Sequence, residues 1–146
     1  VDKVVTMPEG SWGEEGDHRV WTNEQVNWMW EIEYRCEGTM LRLLHELDWR
    51  NKPEVKELLE KAGRELLLLQ ASDWPFVIRR GQAVDYGIKR YMQHVARFEN
   101  LTDIAEKVAA DSKYLGGLTE VEKHEIADAD IHDVIFPEID LEWWSM

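Results

Sequence analysis

At 146 residues with a formal net charge of −13, from 17 basic and 30 acidic side chains, the chain is long enough for one cored domain and poorly suited to phosphate backbones or anionic membranes, so neither nucleic acid nor a membrane is an expected partner. Its single cysteine, Cys36, excludes an internal disulfide and makes a cytoplasmic location the natural expectation. No stretch reaches the roughly 20 apolar residues of a membrane span. The start, Val1-Asp2-Lys3, lacks a signal-peptide pattern and an initiator methionine, as expected of a piece of a longer polypeptide or of a processed chain.

The first recognisable feature is a loop. Gly10, Gly13 and Gly16 open backbone conformations closed to other residues, so the run from Ser11 to Trp21 reads as a shaped loop rather than a helix. The indoles of Trp12 and Trp21 on such a loop suit a sugar. One face of a pyranose packs its C–H bonds on an aromatic ring, while Asp17 and His18 are placed to take hydroxyls. The alternative is that both rings fill a local core, where large apolar side chains usually reside.

Thr22 followed three residues later by Gln25 has the pattern of a capping box and predicts a helix from there to about Trp49. Met29, Ile32, Cys36, Met40, Leu43 and Leu47 form its stripe, with Val26, Trp30, Tyr34, Leu41 and Leu44 widening the buried face. A face that broad calls for two neighbours, and Gly38 in its middle marks a place for close helix approach. After the turn Asn51-Lys52-Pro53, a second helix begins with Pro53 in its first turn. Val55, Leu59, Ala62, Leu66 and Leu69 carry it, and Leu58, Leu67 and Leu68 thicken the stripe until the second half is nearly apolar all round. Such a helix is central in a bundle or covered on one face by another domain. It should stop at or before Trp74, because the residue preceding Pro75 is pushed out of helical dihedrals. Asp73 is then placed to cap a short helical turn from Pro75 to Arg80, with Trp74 open to a packing role beside Phe76, Val77 and Ile78.

Gly81 ends that turn, and a third helix of roughly 30 residues, from about Gln82 to about Tyr114, follows on Val84, Ile88, Tyr91, Val95, Phe98, Thr102, Ala105 and Val108. Three long helices with short connections predict an all-α fold, an antiparallel three-helix bundle. His45 and His94 read as ordinary helical histidines. Past Leu115-Gly116-Gly117, Thr119 and Glu122 form a second capping box that opens a short fourth helix to about Ala127. His124, Asp128 and His132 have a loose metal-ligand spacing, but the segment reads better as a solvated helix end, and no metal is expected. The tail from Val134 to Trp144 alternates apolar and acidic residues around Pro137 and reads as an extended segment across another surface, either an internal strap or part of an interdomain contact, or as a ribbon with Val1, Val4 and Val5. No repeat or linker divides the chain, so residues 1–146 read as a single helical domain.

Two segments carry a resemblance. Ser11 to Trp21 with the following Thr22-Asn23-Glu24, and Ala71-Ser72-Asp73-Trp74-Pro75-Phe76, closely resemble the C-terminal helical domain of the 1,4-α-glucan branching enzymes of glycoside hydrolase family 57. Similarity is strong from about Thr6 to about Phe98 and looser to the end. The resemblance implies that a seven-stranded barrel bearing the catalytic carboxylates precedes this domain in the same chain, making residues 1–146 a fragment that follows an absent barrel. It implies that Trp12 and Trp21 line a glucan groove, that Asp73 accepts sugar hydroxyls and that Trp74 forms a wall of the same groove. The ligand would be an α-glucan of the glycogen, amylose or amylopectin type. The parent would be a transferase of glycogen biosynthesis, cutting α-1,4 bonds and rejoining the fragment by α-1,6 bonds.

By itself the chain is not expected to catalyse this reaction. Retaining glycoside chemistry needs two carboxyl groups about 5 Å apart, and in the resembled enzymes that pair lies on the barrel, so Glu14, Glu15 and Asp17 gain no catalytic role from sitting beside Trp12. Cys36 falls in a core stripe and no serine has a nucleophile-elbow setting. No cofactor is expected. The implied task is to position donor and acceptor and to keep water from the glycosyl intermediate. The alternative is a stand-alone module without activity whose tryptophans bind a protein partner.

Overall fold

The structure, a computed structural model, describes residues 10–133 and 135–144. Among them the chain is all helical, with five α-helices and no strand. The first long helix starts later than Thr22. Turns closed by Thr22 N–H on His18 O and Asn27 N–H on Asn23 O lead into α1, Asn27–Glu46. The expected Thr22–Gln25 capping box does not form. Asn23 braces the turn instead, its Oδ1 accepting the Gln25 N–H at 2.9 Å and its Nδ2 donating to Arg19 O at 2.7 Å. A carboxamide carries donor and acceptor on separate atoms of one rigid group, so it ties the turn on both sides. At the other end Leu47 is extended, and Trp49 folds back so that its indole N–H donates to Leu44 O at 3.1 Å. That contact satisfies a carbonyl left open by the helix end.

The α1 stripe is buried at Met29, Cys36, Met40 and Leu43, and of the side chains expected to widen it Val26 and Leu44 are buried while the other three are not. Trp30, Tyr34 and Leu41 are 36%, 65% and 46% exposed. Helix α1 rests on two later helices and on the tail, and nothing among the described residues covers its opposite side. Periodicity reports which residues share an arc, not whether that arc has a neighbour. Cys36 belongs to the covered side, where burial pushes its thiol up to about 11.

Helix α2, Pro53–Leu69, has its proline in the first turn, where the missing N–H costs no helical bond. Helix α3 spans Asp73–Arg80 and closes on Gly81 in the left-handed region, φ 69°. The capping role expected of Asp73 is not found: it is itself the first residue of α3, and Ser72 takes the cap position without a side-chain bond. Ala83 is also left-handed, φ 53°, so α4 begins at Val84 rather than Gln82 and runs to Ala110. It stops short of Tyr114 because Asp111 turns extended and its side chain accepts the Lys113 N–H, starting a 3-10 turn over Ser112–Gly117.

The second capping box is present. Thr119 and Glu122 exchange bonds at the start of α5, Glu120–His132, and the Thr119 backbone N–H and Tyr114 hydroxyl hold the Glu122 carboxyl down at about 2. This helix continues well past Ala127, because Arg97 of α4 pairs with Asp128 and with Asp133 at its end.

Helices α2 and α4 form the centre, and α4 touches each of the other four. Between them lie Val55, Leu59, Ala62, Leu66 and Leu69 facing Tyr91, Val95, Phe98, Leu101, Ala105 and Val108, all buried. Thr102 joins this face at little cost, since its hydroxyl donates to Phe98 O at 2.9 Å. The tail buries Ile139 and Leu141, and Leu141–Trp144 forms a 3-10 turn against α1 and α2. Gly63 makes room for it: a Cβ there would sit 3.2 Å from the Trp144 ring and 3.3 Å from Ile139. Glu142 accepts two bonds from Arg50, at 2.9 and 2.8 Å. Ile139 and Leu141 thus strap the tail to the bundle while Phe136 and Trp143 stay exposed; the ribbon with Val1, Val4 and Val5 lies outside the described residues.

Candidate functional site

The glycine-spaced loop has a specific backbone reason for its shape. A Cβ on Gly13 would lie 2.5 Å from Asp17 O, a clash that restricts the position to glycine. Ser11 N–H donates to Gly16 O at 3.0 Å, and Gly16 N–H donates to Gly13 O at 3.2 Å. Glu15 and Gly16 take left-handed conformations, φ 55° and 77°. Asp17 then folds over the following turn, accepting the Arg19 N–H at 2.9 Å and its Nε–H at 2.6 Å. The backbone bond from Arg19, reinforced by its guanidinium, holds the Asp17 carboxyl below its usual range.

The two indoles of this loop have different surroundings. Trp12 is 90% exposed and His18 is also exposed. Trp21 is half-buried, its ring packed over Gly13, and its indole N–H donates to Ser72 O at 3.0 Å. That bond brings the loop onto the α2–α3 junction, so the two sequence segments singled out above meet in space. Asp73 follows Ser72 directly and is exposed at the α3 N-terminus, where a negative charge is favoured by the helix dipole. Trp74 is half-buried; its N–H donates to Leu68 O at 2.7 Å and its ring lies 5.9 Å from that of His94. It bolts α3 to the end of α2 and leaves part of its ring at the surface.

Beside the loop, Trp30 donates its indole N–H to Trp21 O at 2.7 Å. Its ring centroid lies 6.1 Å from that of Tyr34, at 31°. Thr22, Asn27, Trp30 and Tyr34 line an open depression of about 400 Å³.

A separate buried cluster escaped the sequence reading, which gave His94 no role. His94 Nδ1 lies 2.7 Å from Glu65 Oε2, and Arg90 approaches both His94 Nε2 and Asp133 Oδ1 at 3.5 Å. Arg97 pairs closely with Asp133 and reaches Asp128 at 3.2 Å. Burial raises the Glu65 carboxyl above its usual range, opposed by the His94 bond. Glu65, His94 and Asp133 offer three ligand atoms within 4.8 Å of one another, but the guanidiniums of Arg97 and Arg90 already supply positive charge to Asp133. The cluster is built as an ion-pair network. The available signal was Glu65 itself, a carboxylate in the part of α2 that is otherwise nearly apolar all round. The looser pattern on α5 stays at the surface: Asp128 lies 3.7 Å from His124 and 3.9 Å from His132, both exposed.

Comparison with known proteins gives a consistent result. Residues 33–144 match the family model described as "1,4-alpha-glucan branching enzyme, C-terminal". The chain is 39% identical over 100 residues to a 1,4-alpha-glucan branching enzyme of Thermococcus kodakarensis, covering 68% of this chain and 14% of that protein. It is 29% identical over 100 residues to a probable 1,4-alpha-glucan branching enzyme of Mycobacterium tuberculosis, covering 65% of this chain and 19% of that one. Among solved structures, the GH57-type branching enzyme of the hyperthermophilic archaeon Pyrococcus horikoshii superposes with a TM-score of 0.81 at 34% identity, over 97% of this chain and 25% of that chain. The Thermococcus kodakaraensis enzyme in complex with glucose gives 0.80 at 30% identity, over 96% and 24%. The chain therefore spans about a quarter or less of the length of these relatives.

Proposed function

The chain belongs to the 1,4-alpha-glucan branching enzyme C-terminal family, and from that premise we propose that it is the glucan-contacting domain of an enzyme that cuts α-1,4 bonds and rejoins the fragment by α-1,6 bonds. The carboxylate pair of that reaction belongs to a catalytic barrel in the same polypeptide, and these residues hold the chain that the barrel works on. The reading is supported most by the bond from Trp21 to Ser72 O, which sets a loop with an indole in open solvent beside Asp73 and Trp74.

In this reading each side chain has its task. Trp12 offers both ring faces to the C–H surface of a glucose unit. Trp21, fixed by its N–H, presents a ring edge, and the surface part of Trp74 closes the groove opposite. Asp73 is exposed and accepts hydroxyls. His18 supplies a ring nitrogen, and Asp17 keeps acceptor positions beyond the two that hold Arg19. A neutral polysaccharide meets a strongly acidic surface without electrostatic penalty, as a polyanion would not. The parent acts in glycogen biosynthesis in the cytoplasm, a compartment that suits the lone, buried thiol of Cys36. No helix among the described residues is long and apolar enough to cross a membrane.

Tryptophan fluorescence titrated with maltoheptaose tests this directly. We expect saturable quenching that a cellulose oligomer does not reproduce and that Trp12→Ala largely removes. Equal quenching by both sugars, or an unchanged response in the variant, would contradict the reading.

A further inference from the structure

The depression on α1 adjoins the loop but includes none of the residues assigned to the groove. Trp30 and Tyr34 were expected in the core and are instead 36% and 65% exposed. Their rings lie 6.1 Å apart at a shallow 31° tilt, forming a shelf rather than the edge-to-face contact that Trp28 and Tyr91 make at 89°. Trp30 is held in this pose by its N–H bond to Trp21 O, so the shelf is ordered before anything binds and is continuous with the loop. Its other lining groups are the Thr22 hydroxyl and the Asn27 carboxamide, neither with a partner among the described residues. Among the described residues the lining side chains are uncharged, in a protein of net charge −13. Two flat rings with a hydroxyl and an amide beside them match an uncharged ligand with one apolar face and a rim of hydroxyls. The volume of about 400 Å³ falls within the usual range for small-ligand sites.

We propose that Trp30, Tyr34, Asn27 and Thr22 form a second sugar-binding step, which holds a further glucose unit of an α-glucan whose neighbouring stretch lies on Trp12 and Trp21. This step rests on the glucan reading of the loop. It adds affinity for long chains through a second contact on the same molecule.

The test follows the indole N–H resonances of Trp12 and Trp30 in the full 146-residue chain during titration with maltoheptaose, in the wild type, Tyr34→Ala and Tyr34→Phe. Tyr34 is mostly in solvent, so its truncation leaves the fold intact. Expected are shifts of both indole signals, a Trp30 shift lost in Tyr34→Ala with affinity weakened about fivefold, and both restored in Tyr34→Phe. Movement of Trp12 alone would overturn the second step and keep the glucan reading, marking the shelf as a contact for another part of the polypeptide. A Trp30 shift and affinity unaffected by Tyr34→Ala would also overturn it. Silence of both indoles would remove the loop reading together with the shelf, and equal shifts with a cellulose oligomer would overturn the α-glucan assignment.

Discussion

Glu33 sits on the buried side of α1 without a cation to pair with among the described residues, and burial, helped by the nearby Glu37 charge, pushes its carboxyl up to about 7. Because the folded state holds this proton more tightly than the unfolded one, the associated stability is full below about pH 4.5 and is lost as pH rises through about 7. Glu33→Gln keeps the shape and removes the charge. Urea unfolding should find the variant equal to wild type near pH 4 and more stable by about 1–2 kcal/mol at pH 8; a difference independent of pH would refute the assignment. At this scale the loop was legible and α1's outward arc was not. Gly13 announces its loop, because no other residue fits 2.5 Å from Asp17 O. Trp30 and Tyr34 obey the same three-four spacing as Met29 and Cys36, and only the placement of the other helices separates the exposed pair from the buried one.

Helix ends show the same division between what is local and what is not. The Thr119–Glu122 box needs only its own turn and is present, whereas the Thr22–Gln25 pattern lost to the better-placed Asn23 carboxamide next to it. Pro53 and Gly81 marked a start and a stop for reasons internal to the backbone. The far end of α5 depended on Arg97, Asp128 and Asp133, residues that meet only after the chain has folded. Asp133 is buried and paired with Arg97 and Arg90, so Asp133→Ala should cost about 3 kcal/mol by leaving Arg97 partly uncompensated inside the protein. Chemical denaturation of Asp133→Ala, Arg97→Leu and the double variant checks this. The double variant should lose less than the sum of the singles. Additive losses would show that the pair does not hold α5 against α4.

Across the whole molecule, α2 and α4 supply a rigid centre, and the loop carrying Trp12 and Trp21 is pinned to the α2–α3 junction by one indole bond. The all-helical class and the three long helices followed from hydrophobic periodicity alone, which is set by the chain's own spacing. The meeting of residues 11–21 with residues 71–76 did not, because it is a contact between segments far apart in sequence. The buried His94 network was hidden for the same reason. On the function proposed above, what the chain contributes is shape: an aromatic surface that holds a glucan while another domain breaks and remakes bonds. The ratio of α-1,6 transfer to hydrolysis in the complete enzyme carrying Trp21→Ala measures this contribution. Transfer should fall about fivefold more than hydrolysis, since one lost aromatic contact frees the acceptor and admits water. Equal losses of both activities, or none, would contradict it.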